Sequence, residues 1–551
     1  MQTRRITGPS PSPRSRRSRR PRSRPFPLLR LLRPPRALRT AGALLAAAAL
    51  LGSACSARGA TTATATDAGL AALPRATPAA LSSYYAQRLT WSPCKVPGFE
   101  CATMKAPRDY DKPAAGDVAL AVARKRAKGP GKPLGSLLVN PGGPGGSAVG
   151  YLEQYAGTGY PAEIRARYDI VGMDPRGVGH SQPVVCLDGR EMDAYAQTDL
   201  TPDNQAEVNQ LVASDKKFAE GCGRHSASLL RHVSTVEAAR DMDILRAVLG
   251  DQKLSYVGAS YGTFLGATYA GLFPDRVGRL VLDGAMDPSL SARKLNEDQT
   301  AGFETAFQSF AKDCVRQSNC PLGGRGTSPA KVGDHLKAFF AQLDASPLAA
   351  GNAGGRRVGE ALATTGVIAA MYDQAAWPQL REALTSAIKR HEGAALLALS
   401  DSYYERDAHG KYANLMSANA AVNCLDLPSA FSGPAEVEQA LPAFEKASPV
   451  FGKGLAWSSL NCAYWPVQAT GRPHRITAQG AAPIVVVGTT RDPATPYPWA
   501  KALASQLSSG RLLTYEGDGH TAYGRGSKCI DAAIDAYLLR GTPPAKGKHC
   551  S

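Results

Sequence analysis

Short apolar runs recur along the chain at 118–123, 136–140, 168–173, 254–258, 279–282, 484–488 and 511–515. Several are continuous rather than alternating, as expected of strands buried on both faces of a parallel sheet. Stretches of helical period lie between them, including 236–249 and 263–272. This alternation predicts an α/β fold. The rhythm stops after Asp287. From 289 to 475 the chain reads as helices and loops, with Phe303, Phe307 and Phe310 on one helical face, later helices at 365–372 and 377–391, and a Gly-rich loop at 351–357. Strands resume at Ile484. An insertion of this size between two sheet strands predicts a mainly helical cap over the strands' carboxyl ends. The expected organisation is a targeting segment at 1–57, a linker or propeptide at 58–90, the first part of an α/β core at 91–288, the cap at 289–475 and the rest of the core at 476–551.

Apolar content of 44% and charged content of 20% describe a globular chain. The formal net charge of +18 suggests a nucleic-acid partner until its distribution is read. Thirteen arginines and no acid lie within residues 1–40, and the rest of the chain carries 51 basic residues against 46 acidic ones. The body is close to neutral, and nucleic-acid binding loses its support. The basic stretch, the apolar segment 41–51 and the small residues Gly52-Ser53-Ala54 before Cys55 form the order of an export signal. The apolar segment is too short for a membrane span. The pairs Arg4-Arg5, Arg16-Arg17 and Arg19-Arg20 allow a twin-arginine route. Leu-Gly-Ser-Ala-Cys resembles a lipobox, so a lipid anchor at Cys55 and free secretion are the two outcomes, and a membrane enters only through that anchor. The Thr/Ala-rich stretch 60–80 reads as a tether.

Cysteine usage agrees with export. Apart from Cys55, ten cysteines fall in neighbouring couples: Cys94/Cys101, Cys186/Cys222, Cys314/Cys320, Cys424/Cys462 and Cys529/Cys550. None has zinc-ligand spacing with histidines nearby, so disulfides are the better reading. Neighbour pairing is one of many connectivities the spacing allows.

Gly258-Ala259-Ser260-Tyr261-Gly262 carries the chemistry. It follows an apolar run and opens a helical one, the setting a G-x-S-x-G nucleophile elbow needs. A serine hydroxyl is a poor nucleophile until a base takes its proton, and that base needs an orienting acid. In the α/β-hydrolase arrangement the acid and the histidine follow the serine, each after a late strand. His520 follows the 511–515 run in the loop Glu516-Gly517-Asp518-Gly519-His520. Asp492 follows the 484–488 run, with Asp283 and Asp287 after an earlier strand as alternatives. His180 is a rival base but precedes the serine. The oxyanion needs two backbone N–H donors. The amide of Tyr261 is one, and the loop Asn140-Pro141-Gly142-Gly143-Pro144-Gly145-Gly146 offers the other at Gly143. A phosphate-binding loop is the competing reading, but no Lys-Ser/Thr follows. No metal-ligand cluster and no cofactor motif is visible in the sequence.

Taken together, Asn140-Pro-Gly-Gly-Pro-Gly-Gly146, Asp174-Pro-Arg-Gly-Val-Gly-His-Ser181, Ala238-Ala-Arg-Asp-Met-Asp243, Gly258-Ala-Ser-Tyr-Gly262, Arg491-Asp-Pro-Ala-Thr-Pro496 and Gly517-Asp-Gly-His520 resemble the secreted actinobacterial tripeptidyl aminopeptidase family. That family is an α/β-hydrolase branch near the proline iminopeptidases. The resemblance spans roughly residues 90–550 and implies a family-specific C-terminal region from about 423 to 551. It implies an α/β-hydrolase fold with a helical cap, and a serine exopeptidase that releases short peptides, often tripeptides, from substrates with free N-termini. Proline iminopeptidases carry His-Gly-Gly-Pro-Gly where this chain has Pro141-Gly-Gly-Pro-Gly145, which makes single-residue release the weaker expectation. Selectivity for a free amine needs a carboxylate near Ser260, and Glu297, Asp298 and Asp426 are the candidates. Two rivals remain: an esterase or lipase on the same triad, and an inactive surface-binding homologue.

Overall fold

Ten strands form one mixed sheet: β1 (Ser92–Pro93), β2 (Glu100–Pro107), β3 (Asp117–Lys125), β4 (Ser136–Asn140), β5 (Asp169–Met173), β6 (Leu254–Ala259), β7 (Val277–Asp283), β10 (Ile484–Arg491), β11 (Gly510–Asp518) and β12 (Lys548–Cys550). The cap holds β8 (Leu348–Ala349) and β9 (Arg357–Val358), a small antiparallel pair of its own. The computed structural model describes residues 69–351 and 355–551, so the export signal and Cys55 lie outside the described residues.

The spatial order is β1-β2-β3-β5-β4-β6-β7-β10-β11-β12. Pairing is antiparallel from β1 through β3 to β5, and parallel from there to β12. The four residues Ile484–Val487 have no exposed surface, because helices cover both faces. That is the physical source of their unbroken apolar run. Each of the seven strands read from the apolar runs is present. The three additional strands are β1, β2 and β12. Strand β2 is flanked on its outer side only by the two-residue β1, so beyond Cys101 it is an open border of the sheet; it mixes buried Met104 and Ala106 with exposed Thr103 and Lys105 and has no apolar run. Strand β12 pairs with Leu513–Tyr515 and is tied down by the Cys529–Cys550 disulfide.

Between β7 and β10 the cap runs through the helices Ala292–Cys314, Pro329–Ala345, Glu360–Met371, Trp377–Arg390, Ala394–Tyr403, Leu415–Asp426, Pro434–Ala447 and Gly452–Ser458. It has its own core, in which Phe303, Phe307 and Phe310 pack with Phe339, Met371, Trp377 and Leu380. A second part comes from an earlier insertion. The helix Gln205–Leu230, between β5 and β6, sets Val208 and Leu211 against Phe431, Phe444 and Trp457. The boundary at 288 therefore divides the chain differently from the packing. Helical period shows that a helix has an apolar face but not which core receives it.

All five neighbouring cysteine couples are disulfides: Cys94–Cys101, Cys186–Cys222, Cys314–Cys320, Cys424–Cys462 and Cys529–Cys550. From Gly69 onward the expected tether is docked instead. The N–H of Leu73 donates to Leu272 O at 2.8 Å, and Leu70, Leu73, Tyr84 and Tyr85 pack on the main core. Among the described residues, no helix is long and apolar enough to cross a membrane.

Candidate active site

Ser260 sits where β6 breaks into the helix Tyr261–Leu272, with φ 56° and ψ −124°. A non-glycine residue there costs on the order of 1–3 kcal/mol and persists only where neighbours over-determine it. Here the Ser260 N–H donates to Asp283 O at 2.9 Å. Its carbonyl accepts from the Thr263 N–H at 2.8 Å and from Thr263 Oγ1 at 2.6 Å. The flanking glycines are steric necessities: a Cβ on Gly258 would lie 2.3 Å from Gly262 O, and one on Gly262 3.0 Å from Asn140 O. Every residue of the helix is buried, so the elbow rests on the centre of the core. The Ser260 hydroxyl does not cap the helix that it begins.

Asp492 follows the last residue of β10, and His520 lies two residues past the end of β11, its next neighbour in the sheet. His520 Nδ1 is 2.8 and 3.0 Å from the two Asp492 oxygens. The same carboxylate accepts from the N–H groups of Ala494, Thr495 and Thr521 at 3.0, 2.9 and 3.2 Å, which fixes its plane. Because a carboxylate only accepts, this contact places the imidazole proton on Nδ1 and leaves a lone pair on Nε2. Nε2 is buried with no hydrogen-bond partner. Thr495 Oγ1 stands 3.3 Å from Nδ1, a neighbour that sequence spacing did not reveal. The cap also reaches the histidine: Tyr372 O accepts the His520 N–H at 2.9 Å, and the two rings meet edge to face at 5.6 Å.

The alternatives have other work. The Asp283 carboxylate accepts the N–H groups of Ala522 and Tyr523 at 2.9–3.0 Å, and burial pushes its pKa up to about 6. With its main chain on Ser260 and its side chain on the histidine loop, Asp283 ties the two together. A Cβ on the next residue, Gly284, would be 3.1 Å from His520 Cε1. Asp287 accepts from Ser289 and Gln506. His180, largely exposed, lies 3.5 Å from Asp174. Within the same motif, Arg176 is fully buried and pairs with Asp241 at 2.7 Å while donating to three main-chain carbonyls; it is a structural clamp.

The glycine-rich loop lies on the elbow. A Cβ on Gly142 would fall 2.4 Å from Ala259 O and 3.0 Å from the Tyr261 nitrogen, and φ is 95° at Gly142 and 116° at Gly143. The Gly142 N–H is taken by Asn140 Oδ1 at 2.8 Å. The amides of Gly143 and Tyr261 donate to no protein acceptor among the described residues. Two uncommitted donors beside a serine on a strained turn can hold an oxyanion.

Of the three carboxylates considered for amine recognition, Asp298 and Asp426 already have partners. Asp298 accepts from Lys294 Nζ at 2.7 Å and Trp499 Nε1 at 3.0 Å. At 100° per residue, Glu297 falls on the flank of its helix turned away from Gln299, whose side chain donates to Ala494 O. Asp426 is buried behind the elbow, where it accepts the Thr235 N–H at 2.8 Å and the Thr235 hydroxyl, itself 2.5 Å from the Tyr261 hydroxyl. Burial pushes the Asp426 pKa up to about 7. In the cap, carboxylate oxygens of Asp199, Asp344 and Glu360 lie within 4.8 Å of one another, a grouping that residues far apart in sequence could not announce.

A doubly bonded acid–histidine pair, an elbow serine and a two-amide pocket at the carboxyl end of a mostly parallel sheet define a serine hydrolase of the α/β-hydrolase fold. Residues 448–550 match the family model described as TAP-like protein. The chain is 38% identical over 485 residues to the serine protease Hip1 of Mycobacterium tuberculosis, covering 84% of this chain and 91% of that protein. It is 37% identical over 456 residues to carboxylesterase B of the same organism, covering 82% and 86%. It is 32% identical over 460 residues to the tripeptidyl aminopeptidase of Streptomyces lividans, covering 82% and 83%. The chain belongs to this actinobacterial tripeptidyl aminopeptidase family of serine hydrolases.

Proposed function

We propose that the protein is an exported serine exopeptidase that cleaves peptides near a free N-terminus, releasing tripeptides. The observation that carries the chemistry is the His520 ring, held through Nδ1 by Asp492 with a buried, unpartnered Nε2. In this reading Nε2 takes the Ser260 proton as Oγ attacks the scissile carbonyl, and the Gly143 and Tyr261 amides hold the oxyanion. The protonated ring then gives that proton to the leaving amine, and water, deprotonated by the same nitrogen, clears the acyl-enzyme. The 32% identity to a tripeptidyl aminopeptidase supports the exopeptidase assignment. The basic leader and the five disulfides support export to an oxidising compartment.

The 37% identity to carboxylesterase B favours a second reading, an esterase on the same three residues. Comparing kcat/KM on a free-amine tripeptide anilide, its N-acetylated form and a simple aryl ester separates the two. The exopeptidase reading expects the free-amine peptide to be turned over far faster than the acetylated one. Turnover of the ester alone would leave the esterase.

A further inference from the structure

The cap segment after the helix Ala394–Tyr403 reaches both halves of the site. Upstream, the Tyr403 ring packs on Tyr372 at 6.3 Å, and Tyr372 holds the His520 N–H through its carbonyl. Downstream, Asn419 Nδ2 donates to Pro144 O at 3.0 Å, and a Cβ on Gly145 would lie 2.5 Å from Leu415 O, so the segment lands on the oxyanion loop. In the chain between these anchors lies Glu405.

The Glu405 main chain is rigidly set. Its φ is 51°, in the left-handed region, and its carbonyl accepts from the Ala413 N–H at 3.0 Å in a turn closed by the Arg406–Tyr412 bridge. The adjacent cation is spoken for, since Arg406 donates to both oxygens of Asp193 at 2.7 and 3.0 Å. Nearby Asp174 is equally committed, to Ser147 Oγ and to the N–H groups of Val149 and His180. The Glu405 carboxylate itself is half-buried and has no hydrogen bond or ion pair among the described residues. Burial, then the charge of Asp174, push its pKa up to about 7. A carboxylate kept from water, beside a second acid and facing no cation of the protein, is set up to receive one.

We propose that Glu405 is the residue that pairs with the free α-ammonium of the peptide substrate, and so sets where the chain is cut relative to its N-terminus. The assignment rests on the exopeptidase reading and replaces Glu297, Asp298 and Asp426 in that role. An ammonium brings the missing charge and three N–H donors; an N-acetylated terminus brings one N–H donor and no charge.

The test is the ratio of kcat/KM for a free-amine tripeptide anilide to that for its N-acetyl form, in wild type, Glu405→Gln and Glu405→Asp. Turnover of an aryl ester reports whether the catalytic groups remain assembled. We expect Glu405→Gln to lower the free-amine rate on the order of 100-fold, chiefly through KM, and to collapse the ratio towards one. Glu405→Asp should recover part of it. A wild-type ratio well above one that survives Glu405→Gln would overturn the assignment alone. A wild-type ratio of one would overturn the exopeptidase reading, and this assignment with it. Equal losses on ester and both peptides would make Glu405 a structural residue.

Discussion

At the carboxyl end of the sheet, each reactive group lies within two residues of a strand: Ser260 follows Ala259, Asp492 follows Arg491, and His520 is two past Asp518. The cap obeys no such rule. Its contacts with the site, from Tyr372 and Asn419, come from a loop and a helix, and the proposed amine partner Glu405 stands in a tight turn between them in the chain. Strand register delivers the first set to one place whatever surrounds them. The second set arrives only if the cap's helices settle against one another and against the core. Chemistry is thus built on strand ends, and selectivity, on the proposal above, on the part whose position packing decides.

Three perturbations would break or sharpen that contrast, beginning with the largest. Ser260→Ala should lower kcat at least ~10⁴-fold on every substrate, and Asp492→Asn about 10⁴-fold by leaving the imidazole in the wrong tautomer. Both variants should unfold within a few degrees of wild type. A Ser260→Ala enzyme with rates within tenfold of wild type would remove the elbow from the chemistry. The second perturbation falls where the returning cap segment meets the main core, on which Ala420, Ala421, Val422 and Leu425 pack. Replacing Cys424 and Cys462 by serine opens a link of sequence separation 38 that holds the helix Leu415–Asp426 to the 461–464 turn. Loop-closure entropy predicts a loss of about 4 kcal/mol, measurable by urea unfolding. If cap and sheet divide the work, peptide turnover should suffer more than ester turnover; equal losses would show the two regions to be one unit.

The smallest effect concerns Asp215, on the helix Gln205–Leu230 where it crosses from the cap to the main core. Its Oδ2 is buried with no partner, and burial pushes its pKa up to about 8. The unfolded chain gives up this proton near pH 4, whereas the folded protein keeps it to about pH 8. The unfolded state therefore binds fewer protons across that window, and stability falls as pH rises through it. Asp215→Asn cannot ionise. Its melting temperature should match wild type near pH 4 and exceed it by a few degrees at pH 8. Parallel curves for the two proteins would show that Asp215 is ionised in the fold.

Much of the sheet was legible because burial on both faces writes itself into composition, as in Ile484–Val487, and because a serine elbow requires glycines at fixed offsets. The strands at the sheet's borders, Glu100–Pro107 with its two-residue neighbour and Lys548–Cys550, were not, since a border needs no apolar run. Disulfide pairing followed sequence neighbours here, although spacing alone allowed other pairings. The placement of Asp298, taken up by Lys294 and Trp499, and of Asp426, sealed behind Tyr261, lay beyond reach. A carboxylate reads the same in sequence whether it faces substrate, solvent or a buried threonine.

By itself the sequence determined the α/β alternation, the large helical insertion and the identities of Ser260, Asp492 and His520, because strand ends and local turn geometry position them. Only the tertiary structure decided that the helix Gln205–Leu230 packs its first turns on the cap and its later turns on the main core, that Asp283 couples the elbow to the histidine loop, and that Glu405 is left without a partner. Those outcomes depend on contacts between segments tens to hundreds of residues apart, where the partner rather than the local pattern sets whether a charge is paired, buried or free.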